Sequence, residues 1–417
     1  GRGARPRGGA SAAVIVERPV GAGVPAPTVI GEARGRDRAG KRVRPRGRRD
    51  VRNSIIPVAA AGAAILTAPV VGAQPIELEP IIVSGGRTPI GVDETGRAFT
   101  VITGEQLEER GTRYVAEALR GVPGLAVAGT GGPGGLTRIF LRGAESNQVL
   151  VLIDGVEVAP AADGEYDFGG LVAAEIARIE VPRGPQSALY GSNAAAGVIS
   201  IITRRGRREA LETGFELELG SDLTTAGNAW LRGGGETWDG AVSAAVRASE
   251  GFNIATGTGD FEGERDGDRN VTVNGRINWD VTQDLELGGT ARFVDRESEF
   301  DAQLFPFPSD ATTGLVVDAD NVTDQTEVFL SGFARYRMLN ERLTHEIRGE
   351  LSDTSLDSVE AGVVAFSSDS QRYHGSYQAS LDVDAFGIGQ TVTGAVEIEE
   401  EVNEASTGDQ TRTLIGL

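Results

Sequence analysis

The chain has 417 residues, with 60 Asp and Glu against 40 Lys and Arg, 59 glycines, two histidines and no cysteine. A disulfide framework, a thiolate metal site and a cysteine nucleophile are therefore excluded, and His345 and His374 leave little for zinc or imidazole chemistry. Residues 1–50 hold 13 basic and 4 acidic residues, so the remainder carries a net charge of −29, a poor surface for nucleic acid, whose phosphates it would repel.

Residues 1–50 are rich in Gly, Pro, Ala and Arg, end in KRVRPRGRRD and have no apolar period, which predicts a disordered basic segment. It is either a tail for nucleic acid or anionic lipid, or an upstream stretch absent from the mature protein. Residues 51–73 follow the signal-peptide pattern, with Arg52, an apolar run from Ile55 to Val71 and small residues at Val71-Gly72-Ala73. Pro57 and Pro69 favour cleavage over a transmembrane anchor, placing the new N-terminus near Gln74. Within residues 74–84, IELEPIIV is β-branched and bounded by Gly85 and Gly86, a strand-prone peptide able to pair with another protein's sheet edge.

Residues 85–205 predict a small α+β domain. Thr103 is a helix N-cap with Gln106 three residues later and Gly111 as the stop. A second helix is capped by Thr112, carries Val115 and Leu119 on one face and ends at Gly121 before Pro123. Strands are predicted at 125–128, 137–142 and 149–153, with an Asp154-Gly155 hairpin into 156–158, and again at 176–181 and 198–203. Pro182 stops the fifth of these, and Pro185 opens a short helix ending near Gly191. Gly129, Gly131 and Gly134 fit a G-x-G-x-x-G pattern, but a strand follows, so no helix N-terminus awaits a pyrophosphate. Lys41 is the only lysine, which rules out a Walker-type loop.

Across residues 206–417 apolar and polar side chains alternate over many strand-length runs. In NVTVNGRINWD, Val271, Val273, Ile277 and Trp279 share one face, while Asn270, Thr272, Asn274 and Arg276 share the other. Short turns are predicted at 281–284, 339–341 and 386–390, and long loops at 251–269 and 298–326. Short turns on one rim and long loops on the other describe an outer-membrane barrel better than a soluble sandwich. Roughly ten strands are too few to enclose a domain of this size, so either that domain hangs outside or the barrel is incomplete, and the second reading is favoured.

The segments IIVSGGRTP, TGEQLEERGTRYVAEALRGVPGLAV, GGLTRIFLRGAESNQVLVLIDGVEV and IARIEVPRGPQSALYGSNAAAGVISIITRRG occur in this order. Together they resemble the plug and early barrel of TonB-dependent outer-membrane receptors, most closely the cobalamin receptor branch, over about Leu78 to Gly206. The resemblance implies an α+β plug followed by a partial antiparallel transmembrane β-barrel, about ten strands of the 22 such transporters have. It implies a monomer in the bacterial outer membrane, held in outer-membrane lipid, that imports cobalamin or a ferric siderophore with a TonB energy transducer as partner. It implies no enzyme activity, no catalytic residue and no cofactor beyond structural calcium.

Carried over by position, Ile81, Ile82, Val83 and Ser84 match the TonB box, the other reading being a first plug strand. Arg142, Glu180 and Arg183 match charges that hold plugs in the lumen, although turn chemistry explains the neighbouring Gly143 and Gly184 equally well. Asp266, Asp268 and Asn270, with Asp318 and Asp320 on a later loop, offer spaced oxygens for calcium. The hand-type calcium signature is missing there, and a solvated acidic loop is the competing account. Two other classes stay open: a passive porin or adhesin barrel, and a secreted β-rich hydrolase built on a carboxylate pair that no motif singles out.

Overall fold

The computed structural model of the chain describes residues 98–417 other than 133, 188–191, 256–264, 307, 386–387 and 417, together with the backbone of three short strands. These are β1 (Val14–Val16), β2 (Ile81–Ile82) and β3 (Ile90–Gly91). The expected signal peptide, all but three residues of the basic segment and most of the helix after Pro185 lie outside the described residues.

Strand β4 (Phe99–Thr103) leads into α1 (Gly104–Glu109) through the predicted capping box. The Thr103 hydroxyl accepts from the Gln106 N–H at 3.3 Å, and the Gln106 side chain accepts from the Thr103 N–H at 3.2 Å. Gly111, at φ +60°, closes the helix with a bond to the Glu108 carbonyl. Helix α2 (Val115–Leu119) is entered from Tyr114 with no side-chain cap, and not from Thr112. The Thr112 N–H is spent on the Leu107 carbonyl, so this residue belongs to the exit from α1.

The plug continues with a hairpin of β5 (Leu125–Gly129) and β6 (Thr137–Leu141). Then come β7 (Val149–Ile153), β8 (Val156–Glu157), β9 (Ile176–Pro182) and β10 (Gly197–Thr203). The sheet order is β4-β9-β10-β7-β8, with β10 and β7 parallel at its centre and every residue of both strands buried. That position explains the near-continuous apolar runs VLVLI and VISII, interrupted only by Ser200, which central strands covered on both faces favour. β9 stops at Pro182 as predicted, with Pro182 itself the last residue, opposite Phe99 of the edge strand β4. One core joins Leu107, Leu119, Ile139, Leu141, Val151, Ile179 and Ile199.

Ten strands follow: β11 (Leu211–Leu219), β12 (Thr225–Gly234), β13 (Trp238–Phe252), β14 (Asp266–Asp280) and β15 (Leu285–Gln303), then β16 (Val316–Met338), β17 (Leu343–Glu360), β18 (Val363–Ala385), β19 (Ile388–Ala405) and β20 (Gly408–Gly416). Each pairs antiparallel with the next, and β1 adds three residues beside β20. The connections 235–237, 281–284 and 339–342 share one rim. The opposite rim carries the two long connections, 253–265 and 304–315, and three short ones. The long loops are shorter than predicted, because Ser298–Gln303 and Val316–Thr326 continue the ladder of β15 and β16 in place of looping out.

The two faces of this sheet are inverted relative to a soluble protein. Leu217, Val242, Ile277, Trp279, Leu330 and Ile347 are exposed on one face. Arg232, Arg247, Thr272, Arg292, Gln325, Glu327 and Arg372 are buried on the other, against the plug. No second sheet covers the apolar face among the described residues, which removes the sandwich alternative. An apolar outer band over a polar interior is the pattern of a lipid-facing barrel wall. Leu330→Arg is expected to lower stability by about 2–4 kcal/mol, the cost of a guanidinium at mid-membrane depth. Thr290→Ala, on the covered face, is expected to cost about 1 kcal/mol or less. Urea titration of the protein refolded into phospholipid vesicles measures both.

Candidate functional site at the boundary of plug and wall

The plug meets the wall through ion pairs of one dominant polarity, acid on the plug and arginine on the wall. Asp154 faces Arg276 at 3.1 Å, Glu157 faces Arg372 at 3.3 Å, Glu175 faces Arg232 at 2.8 Å, and Asp167 pairs with Arg296. Asp154, Asp167 and Glu175 sit in turns or loops that fix them, whereas Glu157 lies in β8. Asp154, at φ +51°, is the first residue of the Asp-Gly hairpin, and its carboxylate also accepts from the Thr203 N–H at 3.0 Å and hydroxyl at 2.6 Å. Glu175, at φ +63°, precedes β9 and receives Arg232 through Nε at 2.9 Å and Nη2 at 2.8 Å, a two-point clamp. Asp167 holds the Thr137 and Gly169 N–H groups, each at 2.8 Å, with the oxygen not turned to Arg296. Arg372 reaches over the wall to the Ala159 carbonyl at 2.8 Å while Glu401 accepts its other nitrogens.

Toward the long-loop rim the contact is tighter. The Tyr114 hydroxyl donates to Asp268 Oδ2 at 3.2 Å, Arg247 Nε donates to the same oxygen at 3.2 Å, and the Arg247 guanidinium lies 5.2 Å from the Tyr114 ring centre. Burial and the Asp268 charge push the Tyr114 phenol well above its ordinary range. Asn270 Nδ2 donates to the Gly170 carbonyl at 2.8 Å, and a side chain at Gly134, itself at φ +85°, would collide with Asp268. Apolar contact is sparse: Phe329 joins the plug core, and Ala245 packs on Tyr114 and Val172.

The residues singled out from sequence fall into three groups. Ile81 and Ile82 pair with Gly91 and Ile90, while Val83 and Ser84 lie outside the described residues. The contacts described for Arg142, Glu180 and Arg183 are within the plug. Arg142 runs beside Gly124 and Gly184, Arg183 donates to the Pro123 carbonyl at 3.1 Å, and the fully buried Glu180 accepts from Arg178 at 2.6 Å. The oxygens considered for calcium are dispersed among other partners. Asp268 serves Tyr114 and Arg247, Asn270 serves Gly170 and Thr272, Asp266 accepts from the Ile254 N–H, and Asp318 accepts from Asn253. Asp320 lies two residues further along β16 from Asp318. Among the described residues no group of three or more His, Cys, Asp or Glu side chains is arranged to hold a metal ion, and part of the 253–265 connection lies outside the described residues.

The wall arginines and their plug acids escaped the sequence reading. Their only sequence signal is that each arginine occupies the polar phase of an alternating strand, and the partners stand far away along the chain.

Residues 92–198 match the TonB-dependent Receptor Plug Domain family. The vitamin B12 transporter BtuB of Vibrio cholerae is 33% identical over 195 residues, which is 46% of this chain and 31% of that protein. BtuB of Photobacterium profundum is 31% identical over 222 residues, 53% of this chain and 36% of that protein. The chain thus spans about a third of the length of the curated relatives it matches. In fold it is similar to the ferripyoverdine receptor of the outer membrane of Pseudomonas aeruginosa, with TM-score 0.62 and 15% identity over 78% of this chain and 45% of that one. It is also similar to the siderophore receptor PirA of Acinetobacter baumannii, with TM-score 0.56 and 19% identity over 73% and 48%. Residues 92–198 are thus a plug domain of the TonB-dependent receptor type, and the strands that follow it share the fold of outer-membrane receptor walls. In sequence the chain is similar to vitamin B12 transporters over about half of its length.

Removing one partner of a buried pair strands the other charge, so Arg232→Ala is expected to destabilise the docked plug by about 3–5 kcal/mol. Replacing both Arg232 and Glu175 with Gln is expected to cost less than the single change. Thermal unfolding and protease sensitivity of the plug read the difference.

Proposed function

We propose that the chain serves an energy-coupled importer that takes a large metal chelate from outside the cell, with a TonB transducer pulling on the segment that begins at Ile81. The observation that carries this reading is a plug of the matching family clasped by ion pairs to the polar face of a wall whose other face is apolar. A passive porin has no use for such a plug, and a hydrolase has no use for a lipid-facing wall. The Ile81–Ile82 segment is short and β-branched, as strand addition to a partner requires.

The ligand reading rests on the wall above the plug. Register places Phe252 opposite Asp266, Phe300 opposite Asn321 and Phe366 opposite Ser358, all on the covered face toward the long-loop rim. Arg247, Arg296 and Arg372 near that end are each committed to an acid. Aromatic rings among amides and hydroxyls suit a large, mostly uncharged ligand such as cobalamin better than a polyanionic ferric siderophore, which calls for free cations. No step here is assigned to calcium and no residue is catalytic.

Ile82→Pro in the full-length receptor is expected to reduce energy-dependent cobalamin uptake by roughly tenfold or more while leaving cobalamin binding unchanged, since proline removes a ladder donor. Unchanged uptake ends the transducer-segment reading. Binding of ferric enterobactin in preference to cobalamin ends the ligand reading.

A further inference from the structure

We propose that a row of acidic side chains on the outward face of β15–β19 marks the upper edge of the membrane, and that this edge fits a leaflet of phosphate-bearing lipid only when divalent cations cover the head-group charge. The proposal concerns the wall alone and goes beyond the import reading.

Register fixes which side chains point outward. Starting from the short-turn rim, no Asp, Glu, Lys or Arg stands on that face until Asp295 on β15, Asp324 on β16 and Asp353 on β17. These lie 10, 14 and 10 residues from Leu285, Met338 and Leu343, the ends of their strands at that rim. On β18 and β19 the first such residues are Asp369 and Glu400. Ten residues of a strand tilted by about 40° rise about 25 Å, the height of an apolar band in a barrel wall. Trp279 and Tyr336, both exposed, occupy the lower edge of the band, and carboxylates occupy the upper edge.

The upper edge carries one sign of charge. All six arginines of β15–β19, Arg292, Arg296, Arg335, Arg337, Arg348 and Arg372, belong by the same register to the covered face. Basic partners on the outward side come only at the neighbouring strands, where Arg269 stands opposite Glu297 and Arg265 lies 3.6 Å from Glu250. Asp324, Asp369 and Glu400 are exposed, while Asp295 and Asp353 are half-buried.

A wall immersed up to this row holds its carboxylates in the head-group layer. Anionic head groups repel them there, within the roughly 8–10 Å over which salt leaves charges unscreened. A divalent cation reverses the sign of the contact, because a hard cation takes carboxylate and phosphate oxygens together. Mg²⁺ is commonly held by one or two carboxylates plus phosphates in place of an all-protein cage, so single carboxylates set along a row are sufficient for it. The continuity of the row with the lipid-facing band makes lipid its occupant.

The test refolds the full-length receptor into vesicles of phosphatidylcholine, of phosphatidylcholine with phosphatidylglycerol, and of the same anionic mixture with Mg²⁺. The folded fraction is read from heat-modifiable migration on gels. The parent is expected to fold well in the first, roughly tenfold less in the second, and well again in the third. Sodium chloride at the ionic strength of the Mg²⁺ is expected to restore much less. With Asp295→Asn, Asp324→Asn, Asp353→Asn, Asp369→Asn and Glu400→Gln together, folding is expected to be alike in all three, whereas Glu341→Gln at the opposite rim is expected to behave as the parent does. If the fivefold variant does not fold in phosphatidylcholine, Asp353→Asn with Glu400→Gln carries the same test, and its loss in anionic vesicles is expected to shrink to roughly threefold. A neutralised protein with the parent's full dependence on Mg²⁺, or equal rescue of the parent by sodium chloride, overturns the proposal. A parent that folds equally well in all three also overturns it and leaves the row to a basic protein partner. The import reading stands in each case.

Discussion

The rest of the structure depends on one constraint: a strand wall in hydrocarbon must turn its apolar side chains outward, so its polar side chains face inward and need partners there. A soluble sheet solves the opposite problem, sending polar groups to water and apolar groups to a second layer. Here the exposed face carries Leu217, Ile277 and Ile347, and the covered face carries arginines, glutamates and amides. The plug supplies what those groups bond. Its wall-facing surface is correspondingly polar, and its own apolar core is closed around Leu119, Ile139 and Ile179 before the wall is reached.

Such a boundary is specific without being greasy. Phe329 and Ala245 are its principal apolar contacts, while five ion pairs and several bonds to backbone carbonyls set its geometry. Buried ion pairs gain in attraction roughly what they lose in desolvation, so they contribute registration more than net adhesion. A plug held in this way has one seat but no deep apolar grip on the wall. Motion then requires exchanging bonds to arginine for bonds to water, a smaller penalty than exposing a hydrophobic interface of the same size.

Local chemistry was legible in the sequence, and contact between distant segments was not. The capping box at Thr103 and Gln106 and the Asp154-Gly155 hairpin were found because each is specified within a few residues. The ten alternating strands were legible for the same reason, since a period of two is a local signal. Thr112 misled because its cap-like hydroxyl stands beside α2, while the helix start is set by Tyr114, whose ring is fixed by residues on β13 and β14. The loop from 298 to 326 is shorter than its sequence suggests because acids such as Asp318 and Asp320 read as solvated loop, whereas on a wall rising above the membrane both strand faces can be polar. Glu175 and Arg232 stand 57 residues apart along the chain, and Glu157 and Asn193 36 apart, distances at which no pattern in one sequence links partners.

The division of labour in these pairs has a physical reason. The acids on the plug are short, and two of them, Asp154 and Glu175, occupy left-handed backbone positions that a non-glycine residue adopts at some cost. The arginines on the wall are long, and their planar forks lose little freedom when clamped. Rigid, strained turns thus present fixed carboxylates, and extended side chains from a regular ladder adapt to meet them. The reverse assignment occurs in one pair, Arg113 of the plug with Glu218 of the wall, and both of its side chains are exposed. The clamp on Glu175 helps hold a backbone conformation that the isolated turn would abandon, so undocking the plug also relaxes the turn that docks it. The Asp154 and Glu175 turns accordingly have a second backbone arrangement open to them whenever force or ligand biases the plug.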